Sequence, residues 1–205
     1  MAVEVTALDA AASLGSQARS DRWPAAAAAA GGLFLLALAA GTVLAPAAPP
    51  PLASRLRVHE YFVAHHDAAL NQSIFVHGVA GVALVVLVVA LWRTFDVGVR
   101  RAVFLVSGLA AAAASFLQLD IVLHIEHHIE NGIGVRRTDV LFDALNRAGA
   151  LKLVLLGVAV AAACSLVPRR LRRIGYVVVP VLGLAALALV TRVPDARTLL
   201  FFVRA

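Results

Sequence analysis

Asp120, His124 and His127 recur at i, i+4 and i+7 within QLDIVLHIEHHIENG, residues 118–132. On a helix turning roughly 100° per residue, the three fall within about 60° of one another. A carboxylate and two imidazoles so placed offer hard oxygen and borderline nitrogen donors together, which suits a transition metal ion: Fe, Cu or Zn. His77, one turn into the preceding apolar span, lies at about the depth where the histidine-bearing span ends, and is the expected fourth ligand. His128 stands further round the helix, and Glu126 points to the other side. Glu126, Glu130 and His128 are expected to orient the ligands or handle protons. The segment RVHEYFVAHHDAAL, if helical, puts His59 and His66 on one face, with His65 elsewhere, and would lie in the interface over the site. His128, His59 and His66 are counted among the possible metal ligands.

Plainer roles compete with this one. Histidines in connecting loops commonly face water or headgroups, and His127 or His128 would serve equally to cap a helix C-terminus. Asp120 is harder to set aside, because a carboxylate about one turn inside an apolar span needs a partner. HIEHH, residues 124–128, resembles the HxxHH histidine box of membrane di-iron desaturases and hydroxylases. The resemblance covers those five residues and implies iron chemistry. Those enzymes carry several such boxes, facing the cytoplasm; here HEYFVAHH matches the others only with its spacing stretched.

The elements that must position these residues are apolar helices. Hydrophobic residues make up 61% of the 205-residue chain and charged residues 15%, more apolar than a soluble core requires. Five runs reach the ~20 residues that a helix needs to cross ~30 Å of hydrocarbon. They cover about 24–46, 73–92, 102–124, 148–167 and 174–191. The expected fold is an all-α, five-transmembrane-helix bundle over 24–192, with short interfacial helices in the two outer loops. Residues 1–23 form an N-terminal segment and 193–205 a tail. The first run is longer than the about 7–15 residues of a signal peptide, so a retained helix is expected despite LAPAAPP. In the second outer loop, Val140, Leu141 and Leu145 mark an amphipathic stretch, and Arg136 or Arg137 would pair with Asp139 or Asp143. Gln118 is read as an interhelical hydrogen bonder. SGLAAAAAS (107–115), Gly78 and Gly81 offer small faces for close packing, and Pro180 a kink.

Orientation follows from arginine. Arg19, Arg22, Arg93, Arg100, Arg101, Arg169, Arg170, Arg172 and Arg173 crowd one side in short connections, so that side is read as cytoplasmic. The opposite side holds eight arginines in longer segments, and Lys152 lies just inside the fourth span. The expectation is a multi-pass protein of the plasma (inner) membrane, with its N-terminus cytoplasmic and its C-terminus outside. All seven histidines and seven of the twelve carboxylates then lie in the outer loops and the span ends beside them.

The net charge of +6 does not point to nucleic acid, because the arginines flank apolar spans and form no patch interleaved with aromatics. Cys164 is alone, which excludes disulfides, CxxC redox chemistry and thiolate zinc within the chain. There is no Walker loop, nucleophile elbow or dinucleotide fingerprint. The leading expectation is a metal-dependent membrane oxidoreductase, or the metal-bearing subunit of one. Its rivals are a non-catalytic subunit of a larger membrane complex and a metal-ion or proton transporter. The last is disfavoured because no ionisable residue stands in the middle of a span and no inverted repeat is visible.

Overall fold

A computed structural model describes residues 2–51, 53–132, 134–167 and 169–190, with side chains described outside 2–21, 130, 169–171, 174 and 190. Within a bilayer no water satisfies the backbone, so a chain this apolar must close its hydrogen bonds within helices. Every regular element among the described residues is helical. They are α1 (Ala2–Leu44), α2 (Arg55–Ala64), α3 (His66–Ser73), a π-helical segment (Ile74–Val79), α4 (Ala80–Thr94), α5 (Val99–Glu130), α6 (Val135–Cys164) and α7 (Arg169–Val190). α3, the π segment and α4 form one continuous rod, His66–Thr94. That rod and the stretches Arg22–Leu44, Val99–Ile129 and Val135–Cys164 are long and apolar enough to cross a membrane. α7 contributes a shorter apolar section, Gly175–Leu189. The tail at 193–205 lies outside the described residues.

Two boundaries differ from expectation. The amphipathic stretch after residue 132 is no separate helix but the first turns of α6, which begins at Val135. Nothing between 135 and 147 breaks a helix, whereas Gly132 takes φ +76° and turns the chain just before it. The second rod likewise starts at His66, because His65 breaks α2 from α3 and nothing after it interrupts the helix.

Each helix packs against its neighbours in sequence: α1 on the second rod, that rod on α5, α5 on α6, and α6 on α7. α2 lies across the ends of α5 and α6. The seams use small residues. A Cβ on Gly81 would come within 3.1 Å of Phe116 Cε1, and one on Gly108 within 2.6 Å of Val88 Cγ2. Gly41 of α1 leaves room for Val76 of the π segment. Two apolar clusters result. Leu84, Val88, Phe104, Ala111, Ala112 and Ala159 join α4, α5 and α6. Val58, Phe62, Ala69, Ile125 and Phe142 fix α2 over the histidine-bearing end.

Candidate functional site

The expected ligands are distributed among three places. Asp120 and His124 lie on the outer flank of α5, with side chains 63% and 57% exposed. His124 Nδ1 donates to the backbone oxygen of Asp120 at 2.9 Å, one turn back, and stands 3.6 Å from its carboxylate. His127 is exposed beside them and His128 half-buried, with the His128 ring 5.7 Å from that of His127 and 6.2 Å from that of His124. Asn131 closes this helix end, donating Nδ2–H to the His127 oxygen at 2.6 Å.

The second place is under α2 and α3. Glu126, expected on the other side of the helix from Asp120 and His124, is buried at 3% exposure. His66 Nε2 lies 3.2 Å from Glu126 Oε2, while its Nδ1 lies 3.2 Å from Asp67 Oδ1. His59 is turned to α6, where Nδ1 shares a 3.2 Å hydrogen bond with the fully buried Thr138 hydroxyl. His65 stacks edge-on against Tyr61. Burial, and secondarily the Glu126 carboxylate, hold the Tyr61 phenol above its ordinary value. The expected arginine pairs are exchanged as well: Asp139 bonds Arg55 at 3.0 Å and Asp143 bonds Arg147 at 2.7 Å. The Glu130 side chain lies outside the described residues.

His77 occupies the third place and does not join Asp120. Among the described residues no group of three or more His, Cys, Asp and Glu side chains could hold a metal ion. The reason is rotational. Counting roughly 100° per residue, Gln118, Val122, Ile125 and Ile129 form one stripe, and Asp120, His124 and His127 lie roughly 180–240° round from Gln118. That stripe faces the bundle, with Gln118, Val122 and Ile125 buried.

What the fold does assemble is a cavity of about 390 Å³, apolar in most of its lining but with polar groups among it, between α2, the second rod, α5, α6 and α7. Tyr61, Gln72, Ser73, His77, Gln118 and Asn146 supply its polar lining. Behind this lining, Lys152 Nζ lies 3.4 Å from Nδ1 of His77. An ammonium only donates, so this contact uses Nδ1 as acceptor and puts the ring proton on Nε2. Lys152 follows Arg147 by five residues, about 7 Å further along the helix. The ammonium is therefore held below the polar end of α6, among apolar turns. His77 reaches it from the π segment, whose wider turns displace the side chains from α-helical register. Gln118 donates Nε2–H to the Leu145 oxygen at 3.4 Å, and Gly149 makes the approach possible, since a Cβ there would stand 3.0 Å from that nitrogen.

The cavity lining thus combines a ring N–H, three amides and two hydroxyls, with the Lys152 ammonium held against Nδ1 of His77. Such donors can bond oxygen atoms carrying negative charge or carbonyl lone pairs. Of its lining, His77 and Gln118 were singled out by spacing. Tyr61, Gln72, Ser73 and Asn146 were not, because isolated polar residues near span ends carry no pattern. Lys152 had a signal: it is the only lysine in the chain, inside an apolar run. Comparison with family models, curated proteins and solved structures finds no match to this chain.

Proposed function

We propose that this chain is a five-span integral membrane protein that binds the carboxylate or carbonyl head of a lipid-soluble molecule in the cavity lined by His77, which Lys152 backs. The carrying observation is the Lys152–His77 contact at 3.4 Å over a cavity of about 390 Å³. Ionisable side chains at membrane depth are costly and are retained where they meet a ligand or an ion. Three features support the wider reading. The apolar section of α7 packs along α6 as a fifth span would. α2, with Val58 and Phe62 buried and Leu56 and Val63 exposed, suits an interfacial position. The short arginine-bearing connections favour a cytoplasmic N-terminus in a plasma membrane.

A probe pair tests the binding. In nanodiscs, dodecanoate and a decyl-substituted quinone should raise the thermal unfolding temperature, while dodecyltrimethylammonium should not. At a hundredfold excess over Kd the gain is about 2.7 kcal/mol. Lys152→Met should abolish the dodecanoate shift. If neither oxygen-bearing probe shifts unfolding, or if the variant responds as fully as the wild type, the proposal fails.

The ladder on α5 favours one second reading. Asp120, His124 and His128 climb one exposed side at one-turn intervals, so a neighbouring membrane subunit could complete a metal centre (Fe, Cu or Zn) there, as in a metal-bearing oxidoreductase subunit. Elemental analysis of the protein purified from its membrane together with its co-purifying subunits, with and without His124→Ala and His128→Ala, would reveal metal loss; equal metal content removes this reading.

A further inference from the structure

Both tryptophans of the chain meet at the arginine-bearing end, opposite the histidines. The Arg93 guanidinium lies 5.4 Å from the Trp23 ring centre and 5.2 Å from that of Trp92. The Arg101 guanidinium lies 4.4 Å from the same Trp92 ring. Two cations thus share one indole, and among the described residues no carboxylate forms an ion pair with either. Arg101 Nε is buried without a hydrogen-bond acceptor. Stacking removes rotational freedom from both guanidiniums and keeps their remaining N–H donors at the membrane edge.

Directly inward is a second cavity of about 480 Å³ that is almost wholly apolar. Leu91 and Phe104 begin it, and Phe104 is only three residues, about 4.5 Å of helix rise, from Arg101. Phe34 of α1 and Val178 and Leu182 of α7 form its sides. Among the described residues α1 and α7 do not pack against each other, so the cavity has a seam toward the surrounding lipid. Cations with no acidic partner among the described residues, one helical turn above an apolar slot, present charge and hydrocarbon in the order that a phospholipid carries them.

We infer that this end holds an anionic phospholipid, with its phosphate on Arg93 and Arg101 and an acyl chain in the apolar cavity beneath Trp92. Each arginine near a membrane surface contributes about fivefold in affinity for an anionic lipid, so a roughly thirtyfold preference for phosphatidylglycerol over phosphatidylcholine is expected.

Because both tryptophans belong to the cluster, their fluorescence reports this site alone. The full chain is reconstituted with brominated-chain phosphatidylglycerol or brominated-chain phosphatidylcholine. Quenching should reach half its maximum at a roughly thirtyfold lower mole fraction of the anionic lipid. Equal quenching by the two lipids overturns the inference without any variant being needed. Arg93→Gln with Arg101→Gln should erase the preference, and its survival also overturns the inference. Ala163→Leu, which fills the slot while leaving the arginines, should weaken quenching by both lipids; unchanged quenching rejects the acyl chain's place. Excess inorganic phosphate should leave the quenching intact, and displacement by phosphate would assign the cluster to a free anion. None of these outcomes depends on the His77 cavity.

Discussion

Replacing Gly108 by alanine tests the packing that holds α4 to α5. A Cβ at that position would stand 2.6 Å from Val88 Cγ2 and 2.9 Å from Val88 Cγ1. Carbon pairs settle at about 3.5–4.0 Å, so roughly 1 Å of separation has to be found. Val88 is 2% exposed and β-branched, which leaves it essentially one rotamer in a helix. The strain must therefore move backbone, at about 1–3 kcal/mol. Alanine also gains about 1 kcal/mol of helix propensity over glycine. The expected net effect is destabilisation of about 0–2 kcal/mol, and the decisive quantity is the coupling with Val88. Equilibrium unfolding in mixed micelles of wild type, Gly108→Ala, Val88→Ala and the double variant yields that coupling directly. Val88→Ala removes the obstructing methyls, so the double variant should be more stable than the single effects add up to, by about 1–3 kcal/mol. Coupling within error of zero, or a Gly108→Ala protein more stable than wild type by the full propensity gain, would show that the seam is looser than these distances require.

Two further outcomes follow from the polar end. Lys152→Met should raise the unfolding temperature of the ligand-free protein while destroying ligand response, because a desolvated ammonium costs about 2.5–3.5 kcal/mol on insertion scales and methionine does not; a lowered unfolding temperature would contradict its being held there for binding. In a Tyr176→Phe background, the phenolate absorbance of Tyr61 should appear above the ordinary tyrosine value of about 10, and Glu126→Gln should bring it part of the way back. A raised phenol favours the folded state fully below that ordinary value, and this contribution is lost as pH rises through the folded value. Titration at or below the ordinary value would remove Tyr61 from the neighbourhood of Glu126.

Much of the architecture was legible because hydrocarbon thickness is read directly as run length: four of the expected spans overlap helices able to cross a membrane. Helix limits were less so, since polar turns continue α5 and α6 beyond the apolar runs without any breaker. That the expected ligands do not converge among the described residues has a more general reason. Periodicity places Asp120, His124 and His127 on one face but does not say which face is inside. In a soluble protein the apolar side would decide. In a bilayer both sides are apolar, and inward faces are marked by small and hydrogen-bonding residues instead. On α5 those are Ser107, Ala111, Ser115 and Gln118, all buried, and Glu126 lies toward their side while Asp120 does not. The π segment left no trace in composition, and it is what carries His77 to Lys152.

The cavity lined by His77 takes residues from the proline stretch after α1 through to Leu189 near the end of α7. A growing chain that has inserted everything up to α6 already contains Lys152 and His77, yet lacks the wall that Leu189 completes. The lining of the cavity is thereby complete only once α7 is in place. An abandoned or truncated copy would carry the ammonium without its enclosure, a distinction that a quality-control protease could exploit.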